Sequence, residues 1–178
     1  RFPGRDKIFV GIVALVVVPL QMCLIPLLQF FNKSPLEGGI AQVWVAHTIF
    51  AMPLAIFLMR NFIGSLPSEV IEAARVDGAS HMTIFTRIIM PLSVPAIASI
   101  AIFQFLWVWN DLLVAKVFGG GAKNGPITWA LNEMVGSRGN DWQLLTAGAF
   151  VSIIVPLIVF LSLQKYFVRG LLAGSVKG

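Results

Sequence analysis

The chain has 178 residues, of which 57% are hydrophobic and 12% are charged, and its formal net charge is +5. A soluble domain usually carries about 25% charged residues, so the composition excludes an ordinary water-soluble enzyme and a disordered chain. The basic residues are scattered and form no stripe, so the positive charge does not indicate nucleic-acid binding.

Four long apolar stretches follow one another, over residues 8–31, 40–59, 92–117 and 144–167. A helix needs about 20 residues to cross a hydrocarbon core of about 30 Å, and each stretch is long enough. Lipid cannot satisfy open backbone groups, and the stretches lack the alternation of barrel strands. The sequence therefore predicts an all-α polytopic membrane protein, a helical bundle with four spans.

Prolines lie inside or beside these predicted helices, at positions 19, 26, 53, 95 and 156. Each removes one helical hydrogen bond and favours a kink. Kinked helices can line a cavity in which the freed carbonyls find partners. Kinks that serve packing alone are the alternative, and the sequence leaves both open.

The charges between the apolar stretches predict the orientation of the chain. Nine basic and four acidic residues fall on one side if each stretch crosses once, so this side carries the whole net charge of +5. By the positive-inside rule it is the cytoplasmic side, together with both ends of the chain. The first residues, from Arg1, read as the middle of a loop, and we expect a fragment of a longer membrane protein.

Residues 60–91, between the second and third stretches, predict two short helices joined by a sharp turn. Ser68 is a favourable N-cap, and Glu69 places negative charge on the first turn. Gly78 suits the left-handed residue that ends this helix, and Ser80 suits the N-cap of the next one. The small side chains of the first helix favour a partner's groove over a lipid surface.

Six residues of this segment stand at a characteristic spacing: Glu72, Ala73, Ala74, Gly78, Ile88 and Pro91. They match the EAA motif of permease subunits from binding-protein-dependent ABC importers. The run Asp77-Gly78-Ala79-Ser80 extends the match in the form usual for carbohydrate importers, whereas Met90 stands where the motif commonly has Leu. With residues 103–111, 165–171 and 173–178, the chain resembles the maltose-permease type over nearly its whole length.

The resemblance implies the type I ABC importer permease fold over residues 1–178, with the two spans that usually come first missing. Residues 60–91 would then contain the coupling helix that docks on a cytoplasmic ATPase. The coupling residues so implied are Glu69, Glu72, Ala73, Ala74, Asp77, Gly78, Ile88 and Pro91.

The implied partners are an ABC ATPase dimer, a second permease subunit, an extracytoplasmic solute-binding protein and a carbohydrate. The implied location is a bacterial or archaeal cytoplasmic (inner) membrane. ATP and Mg would be bound by the partner ATPase, so the chain is expected to hold no cofactor and to be no enzyme. With one Cys and two widely separated His residues, no metal site is predicted.

Polar residues near the end of the third stretch are candidates for the substrate path: Gln104, Trp107, Asn110 and Asp111. A carboxylate at membrane depth usually faces water, a partner or the protein interior. Aromatic rings beside amides and carboxylates also suit sugars, but the tryptophans fit an interfacial belt equally well. His47 is predicted to be a packing residue.

Residues 119–143 form a long loop on the predicted outer side. The glycines at its start lack the spacing of a phosphate-binding loop, so nucleotide binding is not expected here. The resemblance implies that this loop reaches the binding protein, with Asn132, Arg138 and Trp142 as candidate contacts. A plain polar connector is the alternative.

The sequence therefore predicts a permease subunit of an ATP-driven carbohydrate importer, most similar to the alpha-glucoside branch. The alternative is an ATP-independent secondary transporter or channel, which needs charged relays inside the membrane that the spans hardly offer. A membrane-embedded enzyme lacks a catalytic constellation.

Overall fold

The computed structural model describes residues 2–36, 39–119, 125–137 and 142–175, and within these ranges it contains helices and no strand. The predicted all-α class is confirmed. In chain order the helices are α1 (Arg5–Val16), α2 (Leu20–Phe31), α3 (Ile40–Gly64), α4 (Ser68–Val76), α5 (His81–Ile84), α6 (Met90–Trp109), α7 (Leu113–Phe118), α8 (Ile127–Ser137) and α9 (Trp142–Ser175). A π-helical turn, Phe85–Ile89, joins α5 to α6 without a break.

Three helical stretches in the described ranges are long and apolar enough to cross a membrane. They are α3, the continuous helix His81–Trp109 and the Trp142–Lys165 part of α9; α1 and α2 together make a fourth if they count as one broken span. None of the residues in the most apolar window of α9 is buried. Such a surface suits contact with lipid or with another membrane subunit.

The predicted helix over residues 8–31 is broken at Pro19, where α1 and α2 meet at an angle of 101°. The N–H groups of Val17 and Val18 bond three residues back, which tightens the end of α1. Pro19 is extended, with ψ of 128°, and has no N–H to continue the helix. Proline therefore produces a full break here, not the kink that we expected.

In spite of this break, α1 and α2 together contact α3 near both of its ends. Asp6, at the start of α1, accepts a hydrogen bond of 3.0 Å from Arg60 near the end of α3. Phe31, at the end of α2, belongs to a buried cluster that includes Val43 near the start of α3. The pair thus passes from one end of α3 to the other, as a single crossing does.

The predicted third span, residues 92–117, is shorter in the structure because α6 ends at Trp109. The Asn110 side chain donates to the Leu106 carbonyl at 2.8 Å and satisfies one of the carbonyls at the helix end. The apolar residues that follow form the separate helix α7. The helices that contain the second and fourth spans extend beyond the predicted ends, to Gly64 and to Ser175.

The two ends of the bundle differ in their packing. One end, here called the α7 end, holds the buried cluster of α2, α3 and α7, in which the rings of Phe31 and Phe118 meet edge to face at 5.4 Å. The other, the α4 end, holds α4, the start of α1 and the end of α3. Its contacts include the Asp6–Arg60 bond and Arg60 stacked 3.8 Å over the Phe9 ring.

Helices α6 and α9 pack closely against each other, and one hydrogen bond explains part of their register. Trp109 donates through Nε1 to the Ser152 carbonyl at 3.0 Å. In a regular helix this carbonyl would accept from the residue four positions on, which is Pro156 and has no N–H. A carbonyl freed by proline thus finds its partner on the neighbouring helix.

Candidate functional site

Helix α4 is a short surface helix between two predicted spans. None of its residues is buried, and Val76 near its end is 88% exposed. Pro67, and not Ser68 as predicted, holds its N-cap position; Ser68 is the first helical residue and makes no capping hydrogen bond. Glu69 lies in the first turn and Arg75 in the last, each favourable for the helix dipole.

Gly78 ends α4 with φ of +77°, as predicted. The Ala79 N–H donates to the Ala74 carbonyl and the Gly78 N–H to the Arg75 carbonyl, both at 3.0 Å. These two bonds form a Schellman motif, which satisfies the last carbonyls of the helix. No atom lies within 4 Å of the place of a Cβ at Gly78, so the backbone conformation, and not space, requires glycine here.

A second helix starts directly after this turn. Ser80 caps it as predicted, because its Oγ accepts from the Thr83 N–H at 3.2 Å. In the π-helical turn that follows, the Met90 N–H bonds the Phe85 carbonyl five residues back. This wider turn precedes Pro91, whose ring would clash with the Arg87 carbonyl in a regular α-helix.

Six of the eight implied coupling residues lie on α4 or at its end. Glu69, Glu72, Ala73 and Ala74 lie on α4, and Asp77 and Gly78 form its end; all are exposed except Ala74, which is half-buried. Ile88 and Pro91 lie beyond the turn, where the second helix becomes α6. The outcome is an accessible acidic helix, joined on one side to α3 and on the other to α6.

Among the candidates for the substrate path, Gln104 and Trp107 line open grooves between α3 and α6. Gln104 lines two adjoining grooves, of about 390 and 340 Å³, and Trp107 lines the second. Trp107 also borders an apolar cavity of about 720 Å³ beside the break between α1 and α2. Asn110 lines none of these three spaces; its side chain caps the end of α6.

Asp111 joins four helices at the α7 end. Its carboxylate accepts the N–H groups of Val114 at 3.3 Å and Ala115 at 3.0 Å, which caps α7. Oδ2 lies 3.6 Å from His47 Nε2 on α3, and both side chains are nearly buried. The Asp111 carbonyl accepts from Thr128 on α8. In this structure Asp111 is a structural junction and lines none of the described grooves.

The electrostatics of Asp111 follow from these contacts, which lie beyond the end of the span at Trp109. Burial raises the pKa of Asp111, but the nearby His47 imidazole and the hydrogen bonds from the Ala115 and Val114 N–H groups lower it by more. The net effect is a pKa below the ordinary value of 3.8.

Two of the three candidate contacts for the binding protein lie at the α7 end. Asn132 on α8 accepts a hydrogen bond from Lys116 on α7. Trp142, the first residue of α9, is 69% exposed. Arg138 lies outside the described residues. Helix α8 packs against α9 so closely that a Cβ on Gly148 would lie 2.8 Å from Leu131.

Two residues of the α3–α6 grooves were not predicted from the sequence as candidates. Trp44 and Thr48 on α3 line the larger groove with Gln104. Their spacing of four residues puts them on one helix face, a signal that sequence alone offers but does not separate from an interfacial tryptophan. His47 was predicted to pack, and its burial and its pairing with Asp111 agree with that prediction.

Comparison with protein families gives a match over residues 3–172. The matching family is described as the binding-protein-dependent transport system inner membrane component. The match covers both predicted coupling and predicted path residues.

Several relatives are similar over nearly the whole chain. The osmoprotective compounds uptake permease protein GgtD of Synechocystis sp. is 62% identical over 99% of this chain and 59% of its own length. The alpha-glucoside transport system permease protein AglG of Rhizobium meliloti is 57% identical over 99% of this chain and 48% of its own. The melibiose/raffinose/stachyose import permease protein MelC of Bacillus subtilis is 34% identical, over 98% and 63%. The chain thus spans about half to two thirds of the length of these relatives.

Proposed function

The chain belongs to the family of binding-protein-dependent transport system inner membrane components, and on that premise we propose that it is a permease subunit of an ATP-driven carbohydrate importer. It works with a cytoplasmic ABC ATPase dimer, a second permease subunit and an extracytoplasmic binding protein. ATP is bound and hydrolysed by the ATPase, and the permease provides part of the path through the membrane.

The observation that carries the coupling role is the exposed helix α4 with its glycine turn. A helix without buried residues, between two spans, has surface to offer to a soluble partner. Glu69 and Glu72 of α4 and the following Asp77 are exposed acids. The small side chains of Ala73 and Ala74 make the helix narrow. A slim amphipathic helix fits a groove on a partner protein.

The connections of α4 supply the mechanical link. Through Gly78 and Ser80 it leads into the helix His81–Trp109, which runs without a break along the groove residues. Closure of the ATPase dimer would displace α4. The turn at Gly78 would pass this displacement to the helix His81–Trp109, which moves as one unit. The groove between α3 and α6 then opens or closes towards one side of the membrane.

The charge distribution supports a cytoplasmic location of the α4 end. The described basic residues near this end include Arg5, Lys7, Arg60, Arg75 and Arg87. The α7 end holds Lys33 and Lys116 among the described residues. Positive residues accumulate on the cytoplasmic side of inner-membrane proteins, so α4 would face the ATPase.

We propose α-glucosides as the substrate class. The relative named for alpha-glucoside transport is 57% identical to this chain, and the relative named for melibiose, raffinose and stachyose is also a permease for glycosides by its name. The relative named for osmoprotective compounds adds such compounds as a second class to test. Glycosides with one α-linked glucose are the first ligands to test.

The coupling role predicts that changes in α4 separate ATP hydrolysis from uptake. Glu72→Lys reverses an exposed charge at the proposed interface. Gly78→Pro forces φ from +77° towards −65° and removes the N–H that bonds Arg75. We expect each to lower uptake by the full-length transporter in proteoliposomes by about tenfold or more, as loss of an interface anchor does, while membrane insertion stays normal.

Matched controls isolate the effect. Gly64→Ala changes a glycine with open space and no left-handed conformation, and Lys7→Glu reverses an exposed charge on α1. Both are expected to keep uptake near wild type. Wild-type uptake with Glu72→Lys and Gly78→Pro contradicts the coupling role. Uptake without the ATPase, driven by an ion gradient, would support the secondary transporter instead.

A further inference from the structure

Four side chains join the start of α1 to the end of α3 at the α4 end of the bundle. Asp6 and Phe9 stand three residues apart on α1, so they lie on one helix face. Phe57 and Arg60 have the same spacing on α3. Arg60 donates through Nη2 to Asp6 Oδ1 at 3.0 Å. We call these four residues the α1–α3 clamp.

The ring of Phe9 is the centre of the α1–α3 clamp. It lies nearly parallel to the ring of Phe57, with 11° between the ring planes and 6.1 Å between the centroids. Arg60 Cζ lies 3.8 Å from the centroid of the Phe9 ring, which is the geometry of a cation–π contact. One ring of α1 thus contacts two successive turns of α3. Sliding of α1 along α3 would separate this ring from both partners.

The ion pair alone does not hold the two helices together. The side chains of Arg60 and Asp6 are 48% and 66% exposed, and exposed ion pairs contribute little because water screens them. Arg60 does more than an ordinary surface arginine because its planar guanidinium makes two contacts at once. Its N–H group donates to the carboxylate while its face covers the Phe9 ring.

The end of α3 that carries Arg60 is joined to α4 by a short, hydrogen-bonded link. Only residues 65–67 separate the two helices. The Ser65 N–H donates to the Asn61 carbonyl at 3.1 Å, and the Ser65 hydroxyl donates to the Phe62 carbonyl at 2.7 Å. A movement of α4 is therefore passed to the end of α3 as well as to α6.

The other end of α1 is not held in line with α2. The two helices meet at 101° at Pro19, and in the described part of the chain no hydrogen bond joins α1 to α2. Phe31, at the end of α2, stays in the buried cluster of the α7 end. The break can therefore act as a hinge, because a hinge is a short segment that changes its backbone angles between two rigid elements.

We propose that the α1–α3 clamp makes α1 follow the coupling movement, with Arg60 as its positioning residue. Displacement of α4 moves the end of α3, the clamp carries α1 with it, and the break at Pro19 takes up the change of angle. The movement of α4 then reaches α1 as well as α6. The inference rests on the proposed function and adds a second route by which ATP hydrolysis is linked to uptake.

The ratio of ATP hydrolysed to sugar imported tests the clamp, with the full-length complex in proteoliposomes and radiolabelled trehalose and sucrose as probes. Arg60→Gln removes the ion pair and the cation–π contact, and we expect the ratio to rise about threefold to fivefold. Phe9→Leu removes the aromatic face and should act in the same direction, whereas Phe9→Tyr keeps the face and the wild-type ratio. Lys7→Gln, at an exposed position of α1 outside the clamp, is the matched control.

The ratio separates positioning from stability. A variant that only lowered the amount of folded complex would lower ATP hydrolysis and uptake together and leave the ratio unchanged. An unchanged ratio in both Arg60→Gln and Phe9→Leu overturns the proposal. If the wild-type complex imports no carbohydrate, the proposed function itself fails; normal wild-type coupling with unaffected variants refutes only the clamp.

Cross-linking tests whether α1 and α3 move together. In a full-length transporter whose cysteines, Cys23 included, are replaced by serine, Phe9→Cys and Phe57→Cys are joined by a bifunctional methanethiosulfonate. We expect the cross-linked complex to import sugar with the wild-type ratio, because the reagent replaces the contact between the rings. Loss of uptake on cross-linking that a reducing agent reverses means that α1 and α3 separate during transport, and it overturns the proposal.

Discussion

Asp111 concentrates several contacts in one side chain. It caps α7 through two backbone N–H groups, lies beside His47 of α3 and bonds α8 through its carbonyl. Because its pKa is lowered, the carboxylate stabilises the folded protein fully above the ordinary value of 3.8, and this contribution is lost as the pH falls through the lowered value. At neutral pH the junction is therefore complete.

Replacing Asp111 tests this junction. Asp111→Ala removes the cap of α7 and leaves the buried His47 Nε2 without its partner, so we expect a loss of about 2 to 4 kcal/mol. Asp111→Asn keeps an acceptor and should lose less. Thermal unfolding of the purified full-length complex in detergent measures both. A melting temperature of Asp111→Ala equal to that of wild type contradicts the structural role.

Asp111 was predictable from the sequence as a candidate, but its contacts were not. A carboxylate beside two tryptophans near a span end fits a sugar site, and that interpretation depends on local sequence alone. His47 stands 64 positions earlier, and no sequence pattern states that the two meet. By contrast, Gly78 and Ser80 were predicted correctly because a helix end and a cap depend on neighbours within a few residues.

At the scale of the helices, Pro156 and Trp109 form a complementary pair. Proline deprives the Ser152 carbonyl of its partner on α9, and the indole N–H of Trp109 on α6 replaces it at 3.0 Å. The same indole stacks on Phe105, 5.6 Å between ring centroids. The kink-prone position is thus also a contact between helices.

This arrangement predicts a rescue. Trp109→Phe keeps an aromatic ring but leaves the Ser152 carbonyl unpaired, which should destabilise the complex by about 1 to 3 kcal/mol. Adding Pro156→Ala supplies an N–H within α9 and should recover most of the loss. Thermal melts of the two variants provide the measurement, and Trp107→Phe on the same helix is the matched control. If the double variant melts at the temperature of Trp109→Phe alone, the pairing is not what stabilises the contact.

Helix positions were predictable, whereas helix ends were less so. Apolar length located three helices that can span a membrane, and the pair of α1 and α2 makes a fourth if it counts as one broken span. The break at Pro19 and the end of α6 at Trp109 depend on hydrogen bonds that hydropathy does not report. The predicted third span wrongly included most of α7. Its residues are apolar because they are buried inside the protein, and hydropathy does not distinguish such residues from residues that face lipid.

At the scale of the whole molecule, the α4 end and the α7 end of the bundle differ in structure. The α4 end exposes an acidic helix, whereas the α7 end is a packed layer of α7 and α8 on the bundle. The charges along the sequence predict that the two ends differ in net charge. They also put Asp6 and Arg60 on the same side of the membrane, and the bond between these residues agrees with that prediction. The layer of α7 and α8 was not predicted, since its anchors, such as Lys116–Asn132, join residues from separate parts of the sequence.

The exposed Trp142 at the α7 end predicts a contact with the binding protein. An exposed tryptophan at an interface is commonly an anchor, so Trp142→Ala should raise by about tenfold the concentration of binding protein that half-maximally stimulates ATP hydrolysis. The measurement uses the full-length complex in proteoliposomes. Phe150→Ala, two turns along α9 and equally exposed, is the control. Equal stimulation of Trp142→Ala and wild type would remove Trp142 from the interface.

The Trp109–Ser152 bond also bears on how the protein is made. Helix α6 precedes α9 in the chain, so the ribosome delivers the indole donor before the carbonyl that needs it. When α9 enters the bilayer, the unpaired Ser152 carbonyl raises the free energy of insertion unless α6 is already in the membrane beside it. Biogenesis in the order of the chain therefore spares α9 an exposed polar group, and α9 synthesised alone should insert with less efficiency than α9 that follows α6.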